Sequence, residues 1–537
     1  MCRHWTSIAA ALARGAVLAL LVASAGCGGG GEGGPSSPEP GTPAPETPRP
    51  TSPTIDLATT AADLTVLGGD ADDYLADRFS LAHGDFNGDG IDDILAGAPK
   101  AGGPDNSRKN AGEAYVILGS SDVEGTVDIA EGQQDFTVTG ASEGDNLGFV
   151  VTSGDVNGDD IDDILIGSRF ARGPDADRGN AGKVYVIFGS PDLSGTVDTA
   201  LDEQDFTVLG AKADDYLGYA LAAGDVNGDE VDDIIVAAPG ADDPDGKRPD
   251  AGQVYVVFGS TTLSGSVDIA QNQQDFTILG ARASDFLANF AASGDVDGDG
   301  IDDILLGTEF GDGPDGQRAD AGVAYVIFGP PEPKGTLDLA ADEGFLTIWG
   351  ADAADWLGFV LTAADVNGDE VDDILIGARN ANGPGNSRNN CGEVYVFFGP
   401  AKLPSTVDIA DRKQDVTLIG SAPNSLFGHS LAAGDVNGDD IGDVLMGGPV
   451  AGSRGKAGQI LVFQGSRQWP ASVDAALGPH GMTILGAEAD DELGFSLASG
   501  DINGDGIDDI IGGALLADGP DNARPDAGEV YVIFGAP

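Results

Sequence analysis

The sequence has few cationic residues. It carries 26 lysines and arginines against 89 aspartates and glutamates, which gives a formal net charge of -63 at pH 7. Nucleic acid is therefore excluded as a natural partner, because its phosphates would be repelled, and an anionic membrane surface is disfavoured for the same reason. Such an imbalance also destabilises a compact state by self-repulsion, so the composition favours bound cations.

Cysteine and histidine are also scarce, at three and four residues. Loss of Cys2 with a signal peptide and lipidation of Cys27 would leave Cys391 as the only free thiol, so we expect no disulfide within the mature chain. An exported protein without disulfides must be stabilised by its core and by metals. The sequence contains no G-x-S-x-G or Cys-His arrangement that would indicate nucleophilic catalysis.

Long hydrophobic runs are missing too. Residues 16–23 form an apolar stretch that follows two arginines and is too short to span a bilayer, so residues 1–26 are predicted to be an export signal. The segment Ser24-Ala25-Gly26-Cys27 resembles a bacterial lipobox, in which Cys27 becomes the lipidated first residue; ordinary secretion is the alternative. Residues 27–53, rich in Gly, Pro, Ser and Thr, are predicted to be a linker. We expect a lipid-anchored protein at the cell surface or periplasmic face, on the outer membrane if the cell is Gram-negative.

An acidic nine-residue string, D-x-[DN]-G-D-x-[IV]-x-D, occurs seven times in what remains. Its copies are 70 residues apart, except for a last interval of 66. Repetition at such a period indicates a solenoid or a propeller. The first aspartates are Asp85, Asp155, Asp225, Asp295, Asp365, Asp435 and Asp501.

Each repeat contains short runs rich in Val, Ile, Tyr and Phe that are bounded by Gly and Asp, and no window has a sustained helical period. Four strands in each of seven repeats predict an all-β, seven-bladed β-propeller over residues 54–537. The chain enters with a fourth-strand pattern at 64–68 and leaves with a third-strand pattern at 529–535. We therefore predict that the N-terminal strand completes the last blade; an open solenoid would leave both edges unpaired.

The acidic string is predicted to bind Ca²⁺. It places oxygen donors at positions 1, 3, 5 and 9, adds the backbone carbonyl of position 7, and offers no nitrogen or sulfur ligand, a set that suits Ca²⁺. The alternative is that these residues only form surface turns. If position 6 needs positive φ, the side chains of Asp160, Glu230, Glu370 and Asp440 weaken four of the loops. The predicted ligands are Asp85, Asn87, Asp89, Ile91, Asp93; Asp155, Asn157, Asp159, Ile161, Asp163; Asp225, Asn227, Asp229, Val231, Asp233; Asp295, Asp297, Asp299, Ile301, Asp303; Asp365, Asn367, Asp369, Val371, Asp373; Asp435, Asn437, Asp439, Ile441, Asp443; and Asp501, Asn503, Asp505, Ile507, Asp509.

These repeats resemble FG-GAP repeats, the units of the integrin α-subunit propeller. The first half of the name matches Leu147-Gly148-Phe149 and Leu357-Gly358-Phe359, the second half matches Gly97-Ala98-Pro99, and the acidic loop lies where the family has its calcium loops. The resemblance covers about residues 54 to 537 and implies a propeller with up to seven Ca²⁺. It says less about function.

A second repeated feature is an arginine in the loop between the second and third strands. In a chain so poor in cations, we expect these arginines to form ion pairs with aspartates of the neighbouring loop between the fourth and first strands, such as Asp214 and Asp215. A ring of guanidinium groups for a carboxylated ligand is the alternative. The arginines are Arg108, Arg178, Arg248, Arg318, Arg388 and Arg524.

From these features we predict a calcium-binding adhesion or ligand-binding module that is not an enzyme. Its expected partner is a protein or glycan, and its expected membrane contact is only the lipid anchor at Cys27. The alternative is a polysaccharide-active hydrolase or lyase, since two carboxylates suffice for glycoside hydrolysis. Catalysis would need a site that differs from its relatives, and the sequence shows little beyond Asn289 and His429, which replace a repeated aromatic residue.

Overall fold

The computed structural model describes residues 52–175, 177–329, 335–341, 344–399, 404–452 and 454–537. Seven β-sheets make up this part of the chain, which confirms the predicted all-β, seven-bladed propeller. Its helices are single 3-10 turns of three residues, so no helix in the described residues could cross a membrane. The predicted signal peptide, Cys27 and residues 27–51 of the predicted linker lie outside the described residues.

Each blade has five strands. The first strands are Leu81–Gly84, Val150–Gly154, Leu221–Gly224, Phe290–Gly294, Leu357–Ala364, Ser430–Gly434 and Leu493–Gly500. The second strands are Asp93–Ala98, Asp163–Ser168, Asp233–Ala238, Asp303–Thr308, Asp373–Ala378, Asp443–Gly448 and Asp509–Ala514. The third strands are Glu113–Ile117, Lys183–Ile187, Gln253–Val257, Val323–Ile327, Glu393–Phe397, Gln459–Phe463 and Glu529–Ile533.

The fourth strands, in the same blade order, are Phe136–Thr139, Phe206–Leu209, Phe276–Leu279, Phe345–Trp349, Val416–Ile419, Gly481–Leu485 and Leu64–Leu67. The fifth strands are Gly195–Asp198, Gly265–Asp268, Gly335–Asp338, Thr406–Asp408, Ser472–Asp474, Thr54–Asp56 and Gly125–Asp128. The 3-10 turns are Pro104–Asn106, Ile129–Glu131, Thr199–Leu201, Ile269–Gln271, Pro384–Asn386, Ile409–Asp411 and Pro520–Asn522.

The first strands surround the axis, and each contacts the first strands of both neighbouring blades, so the ring is closed. The second strands are buried along their whole length, which is why they are nearly continuous apolar runs. Seven apolar clusters form the described core, and each joins two neighbouring blades. Blade-to-blade packing therefore stabilises the fold.

The N-terminal strand closes the ring as predicted. Leu64–Leu67 pairs antiparallel with the last strand of the chain, with Leu64 opposite Val532, and it pairs parallel with Gly125–Asp128 on its other side. Leu64 and Val66 are fully buried there. The preceding strand, Thr54–Asp56, pairs with the sixth blade, so the N-terminus contributes to two blades.

The prediction of four strands per blade was incomplete. After the third strand of each of the first six repeats, the chain crosses to the outer edge of the preceding blade and adds a parallel strand, such as Gly195–Asp198 beside Phe136–Thr139. In several repeats, including the second, a 3-10 turn then returns the chain to its own blade. Asp198 caps that turn, because its Oδ1 accepts a hydrogen bond from the N–H of Ala200 at 3.0 Å. The extended segments before and after this turn therefore belong to two different blades.

The arginines of the loop between the second and third strands do form ion pairs, but the predicted partners were wrong. Each pairs with the last residue of the fifth strand of its own sheet. In the first five blades that residue lies in the next repeat of the sequence, and in the last two blades it is Asp56 or Asp128, near the N-terminus. Asp214 instead accepts a hydrogen bond from Asn180 at 2.9 Å. The pairs are Arg108–Asp198, Arg178–Asp268, Arg248–Asp338, Arg318–Asp408, Arg388–Asp474, Arg454–Asp56 and Arg524–Asp128.

We expect Arg178→Ala to lower the free energy of unfolding by about 2–3 kcal/mol, because it leaves a desolvated carboxylate without its partner. Arg178 binds both oxygens of Asp268, at 2.6 and 3.1 Å, and also donates to the carbonyl of Gly210. The matched control is Lys247→Ala, whose pair with Asp245 is exposed and should contribute nothing measurable. Urea unfolding measures both variants, and equal stabilities for the two would contradict the prediction.

Candidate metal loops and the axial channel

All predicted metal-binding residues lie in seven equivalent loops that join the first and second strands of the blades. Adjacent strands of a blade run antiparallel, so these loops emerge on one face of the ring. The arginine-containing loops emerge on the other face. We call the first the calcium-loop face and the second the arginine-loop face.

The aspartate at position 1 organises each loop by accepting backbone hydrogen bonds. Asp225 accepts from Gly228 and Asp229 through Oδ1, at 2.7 and 3.0 Å, and from Glu230 through Oδ2, at 2.7 Å. Position 6 has positive φ in every loop, which is the condition under which we expected side chains at this position to weaken four of the loops. The values are 85° at Gly90, 65° at Asp160, 67° at Glu230, 84° at Gly300, 68° at Glu370, 62° at Asp440 and 83° at Gly506.

The aspartate at position 9 begins the second strand and is fully buried. Asp233 accepts hydrogen bonds through Oδ1 from the N–H of Gly259 and from the side chain of Asn227, at 3.0 and 2.9 Å. Burial raises the pKa of Asp233 to about 7, since it disfavours the charged form. A cation beside this carboxylate would favour its charged form.

The fourth loop brings three carboxylates together. Oxygen atoms of Asp295, Asp297 and Asp303 lie within 4.8 Å of one another, and all are hard donors, so this loop fits Ca²⁺. The aspartate at position 5, Asp299, is not part of this group. Its side chain accepts a hydrogen bond from the N–H of Ile301 at 3.0 Å. The six other loops all have asparagine at position 3, and its amide donates to the position-9 carboxylate.

Position 8 of the loops has a role that the sequence did not reveal. Asp162 accepts a hydrogen bond from the N–H of Asp85 in the neighbouring loop, at 2.9 Å, and Asp232 does the same for Asp155, at 3.0 Å. Burial and neighbouring carboxylates raise the pKa of Asp232 to about 6. Six carboxylates therefore surround the axis at the calcium-loop face: Asp92, Asp162, Asp232, Asp302, Asp372 and Asp508.

A cavity of about 260 Å³ lies on the axis of the ring and is lined by the first strands of all seven blades. Its arginine-loop end carries the residues of the "FG" position, five of which are aromatic. His429 and Asn289 occupy that position in their blades and are 4% and 5% exposed.

Beside these residues lie Arg78, Arg169, Arg379 and Glu309, none of which the sequence singled out as functional residues. The available signal was departure from the repeat: Arg78 replaces the "FG" glycine, and the other three replace the "GAP" proline.

Comparison with known families matches the FG-GAP repeat to five of the repeats of this chain. The matched residues are 79–117, 147–187, 217–257, 427–463 and 493–533. The matches begin at the "FG" position, or just before it, and end with the third strand, so each includes the acidic loop.

Several curated proteins are similar to this chain. Phosphatidylinositol-glycan-specific phospholipase D of Rattus norvegicus is 27% identical over 390 residues, which are 69% of this chain and 43% of that protein. The Homo sapiens protein of the same name is 29% identical over 53% of this chain and 33% of its own length. Integrin alpha-PS2 of Drosophila melanogaster is 29% identical over 51% of this chain and 19% of its own length. The chain thus spans less than half of each of these relatives.

These comparisons contradict our expectation that the chain is not an enzyme. Relatives from five organisms carry the name of a phospholipase D, which is an enzyme. The comparisons therefore favour an enzyme, which was our alternative to the ligand-binding module. They do not favour a polysaccharide as its substrate, because the names of these relatives refer to phosphatidylinositol-glycan.

Proposed function

Because this chain is an FG-GAP repeat protein with an integrin-α-like β-propeller, we propose that it is an exported, calcium-stabilised propeller that binds a ligand. The observation that carries the calcium proposal is the fourth loop, where three carboxylates gather with no cationic side chain among them. The tether is proposed to be a lipid at Cys27, and the partner a protein or a glycan. Calcium would be held by the acidic loops and would offset part of the net charge of -63.

The number and ranking of the calcium sites test this proposal. We expect a calcium titration of the metal-free protein to show up to seven sites, with the tightest in the fourth loop, because that loop has one more carboxylate than the others and a glycine at position 6. Asp297→Asn gives this loop the donor set of its neighbours and should weaken the tightest site about tenfold, since charge count tunes the Kd of calcium loops.

The matched variant is Asn227→Asp, which gives the third loop the donor set of the fourth and should strengthen one weak site. Isothermal titration calorimetry distinguishes the variants. Absence of calcium binding would refute the calcium proposal, and an unchanged tightest site in Asp297→Asn would refute the ranking.

Hydrolysis of a phosphodiester in a glycosylated phospholipid is the second candidate function. The phospholipase D relatives favour it over a role in adhesion. In such a reaction water attacks phosphorus, the bond from phosphorus to the alcohol oxygen of the head group breaks, and that oxygen takes a proton from the water. The test incubates the full chain with vesicles that carry a phosphatidylinositol-glycan-anchored reporter and measures reporter in the supernatant. Release that exceeds release by heat-denatured protein supports the candidate, and equal release excludes it for this chain.

A further inference from the structure

Cations gather at the arginine-loop end of the axial channel. Arg78 pairs with Glu309 at 3.3 Å, and their side chains are only 10% and 4% exposed. Within the described ranges, neither Arg169 nor Arg379 forms an ion pair with a carboxylate. We call Arg78, Arg169 and Arg379 the axial arginine cluster. Desolvated guanidinium groups are normally paired, because an uncompensated buried charge is strongly unfavourable.

Aromatic rings hold these guanidinium groups in place. The guanidinium carbons of Arg78 and Arg379 lie 3.7 and 3.8 Å from the centroid of the same ring, Phe359. Arg169 lies 3.3 Å from the centroid of Phe149. Such cation–π contacts position the groups but leave their formal charges and most of their N–H donors available.

The cluster has unpartnered hydrogen-bond donors. Arg379 Nη1 lies 2.8 Å from His429 Nδ1, and since guanidinium offers no acceptor, Nδ1 must accept and the neutral ring must carry its proton on Nε2. Burial and the two nearby arginines lower the pKa of His429 well below its usual value, in agreement with a neutral ring. His429 Nε2 and the Nε atoms of all three arginines are buried without a partner.

These four atoms are the unpartnered buried side-chain nitrogens of the described chain. All four are donors, and they belong to one cluster. Buried polar groups are rarely left unsatisfied, so the cluster calls for a hydrogen-bond acceptor.

The excess of positive charge in the cluster favours binding of an anion. The pKa of Arg379 is lowered to about 9 by burial and by repulsion from Arg78, so like charges oppose one another here. The charged groups that face one another number four cations and two carboxylates, which leaves an excess of two positive charges. They are Arg78, Lys100, Arg169, Arg379, Asp77 and Glu309.

We propose that the axial arginine cluster, together with His429, binds the phosphate group of a ligand that enters from the arginine-loop face. The arginines come from the first, second and fifth blades and so approach from three directions. That arrangement suits a tetrahedral oxyanion, whereas a planar carboxylate is satisfied by the fork of one arginine. The excess of two positive charges suits a phosphate group, whether a diester with one negative charge or a monoester with two.

The position of the cluster supports this assignment. Arg78 and Phe79 line the axial cavity, while Arg169 and Arg379 remain partly exposed, so the cluster is accessible from outside. The carboxylates at position 8 lie at the opposite end of the channel and would repel an anion there. The proposal rests on none of the calcium loops and requires no hydrolysis, so it can fail or hold independently of the proposed function.

The test measures phosphate binding to the full chain by calorimetry, with calcium at the concentration that the folded protein requires and with inorganic phosphate, the probe, kept below the concentration at which calcium phosphate precipitates. Arg169→Gln and Arg379→Gln each remove one unpaired charge, and each should weaken the Kd by about tenfold to a hundredfold, the worth of one charge-assisted contact. Arg172→Gln is the matched control, because Arg172 is an exposed arginine three residues further along the same loop and should leave the Kd unchanged.

A second arm separates the two sources of phosphate. Sedimentation with phosphatidylcholine vesicles, with and without phosphatidylinositol, detects a lipid head group. Binding of inorganic phosphate that is weakened in Arg169→Gln assigns a free phosphate site; binding only to the phosphatidylinositol vesicles, lost in the same variant, assigns a head group. Without phosphate, both glutamine variants should melt no lower than the parent, since they remove unpaired charge. Absence of binding in both arms, or equal binding by the parent and the two glutamine variants, overturns the proposal.

Discussion

Deletion of the N-terminal strands is expected to prevent stable folding of the propeller. Leu64–Leu67 lies between the third strand of the seventh blade and Gly125–Asp128, so its removal exposes one strand edge and detaches another strand. Leu64 and Val66 are fully buried, and truncation of such side chains alone costs about 2–5 kcal/mol for leucine. Loss of the whole strand should exceed the total stability of about 5–15 kcal/mol that is typical of a folded domain.

Three truncations test this expectation. A chain that begins at Ser52 keeps both strands and is the control. A chain that begins at Ala61→Met loses only Thr54–Asp56, the outer strand of the sixth blade, and should stay folded with a lower melting temperature. A chain that begins at Asp70→Met loses both strands and should aggregate. Light scattering and thermal melts distinguish them, and a soluble monomer with the control's melting temperature would show that the strand does not close the ring.

The sequence predicted the blade number and the closure because both depend on what repeats. Seven copies of one loop at a fixed period identify seven units, and strand patterns at the two ends identify what each end lacks. The same reasoning failed for the fifth strand. Whether Val267-Asp268 pairs within its own blade or with the preceding one depends on tertiary contacts, and both pairings satisfy the local β pattern equally well.

The ion pairs show the same limit. A repeated arginine in an acidic chain predicts a carboxylate partner, and every such arginine has one. Which carboxylate it is follows from the fifth strand, whose last residue is carried to the loop of the preceding repeat. An error in strand assignment therefore became an error in partner.

The axial arginine cluster was hidden for another reason. Each of its members is a single departure from the repeat, and a single departure in one blade is ordinarily neutral variation. Only the circular arrangement brings positions 78, 169 and 379 to one place, because the first strands of all blades converge on the axis and each second strand ends beside the start of its first strand. Residues that break the repeat at its innermost positions are therefore the ones to examine in other propellers.

Removal of calcium is expected to lower the stability of the propeller by an amount comparable to its total stability. Extracellular calcium modules bind with a Kd of roughly 10⁻⁴ to 10⁻³ M, and calcium at ten times the Kd adds about 1.4 kcal/mol per site. Seven such sites would together contribute about 10 kcal/mol. In six of the loops the buried position-9 carboxylate lies close to two other aspartates, so the metal-free state also includes their mutual repulsion.

Thermal melts in excess calcium and in excess EGTA measure this effect directly. We expect a lower melting temperature in EGTA, recovered by added calcium and recovered much less by magnesium at equal concentration, since magnesium dehydrates reluctantly and demands a tighter octahedron. Asp233→Asn removes one buried carboxylate from the third loop and should make the melting temperature less sensitive to calcium by about one site's share. A melting temperature that is the same in calcium and in EGTA would mean that the acidic loops are turns held by their own hydrogen bonds, as the contacts of Asp225 alone allow.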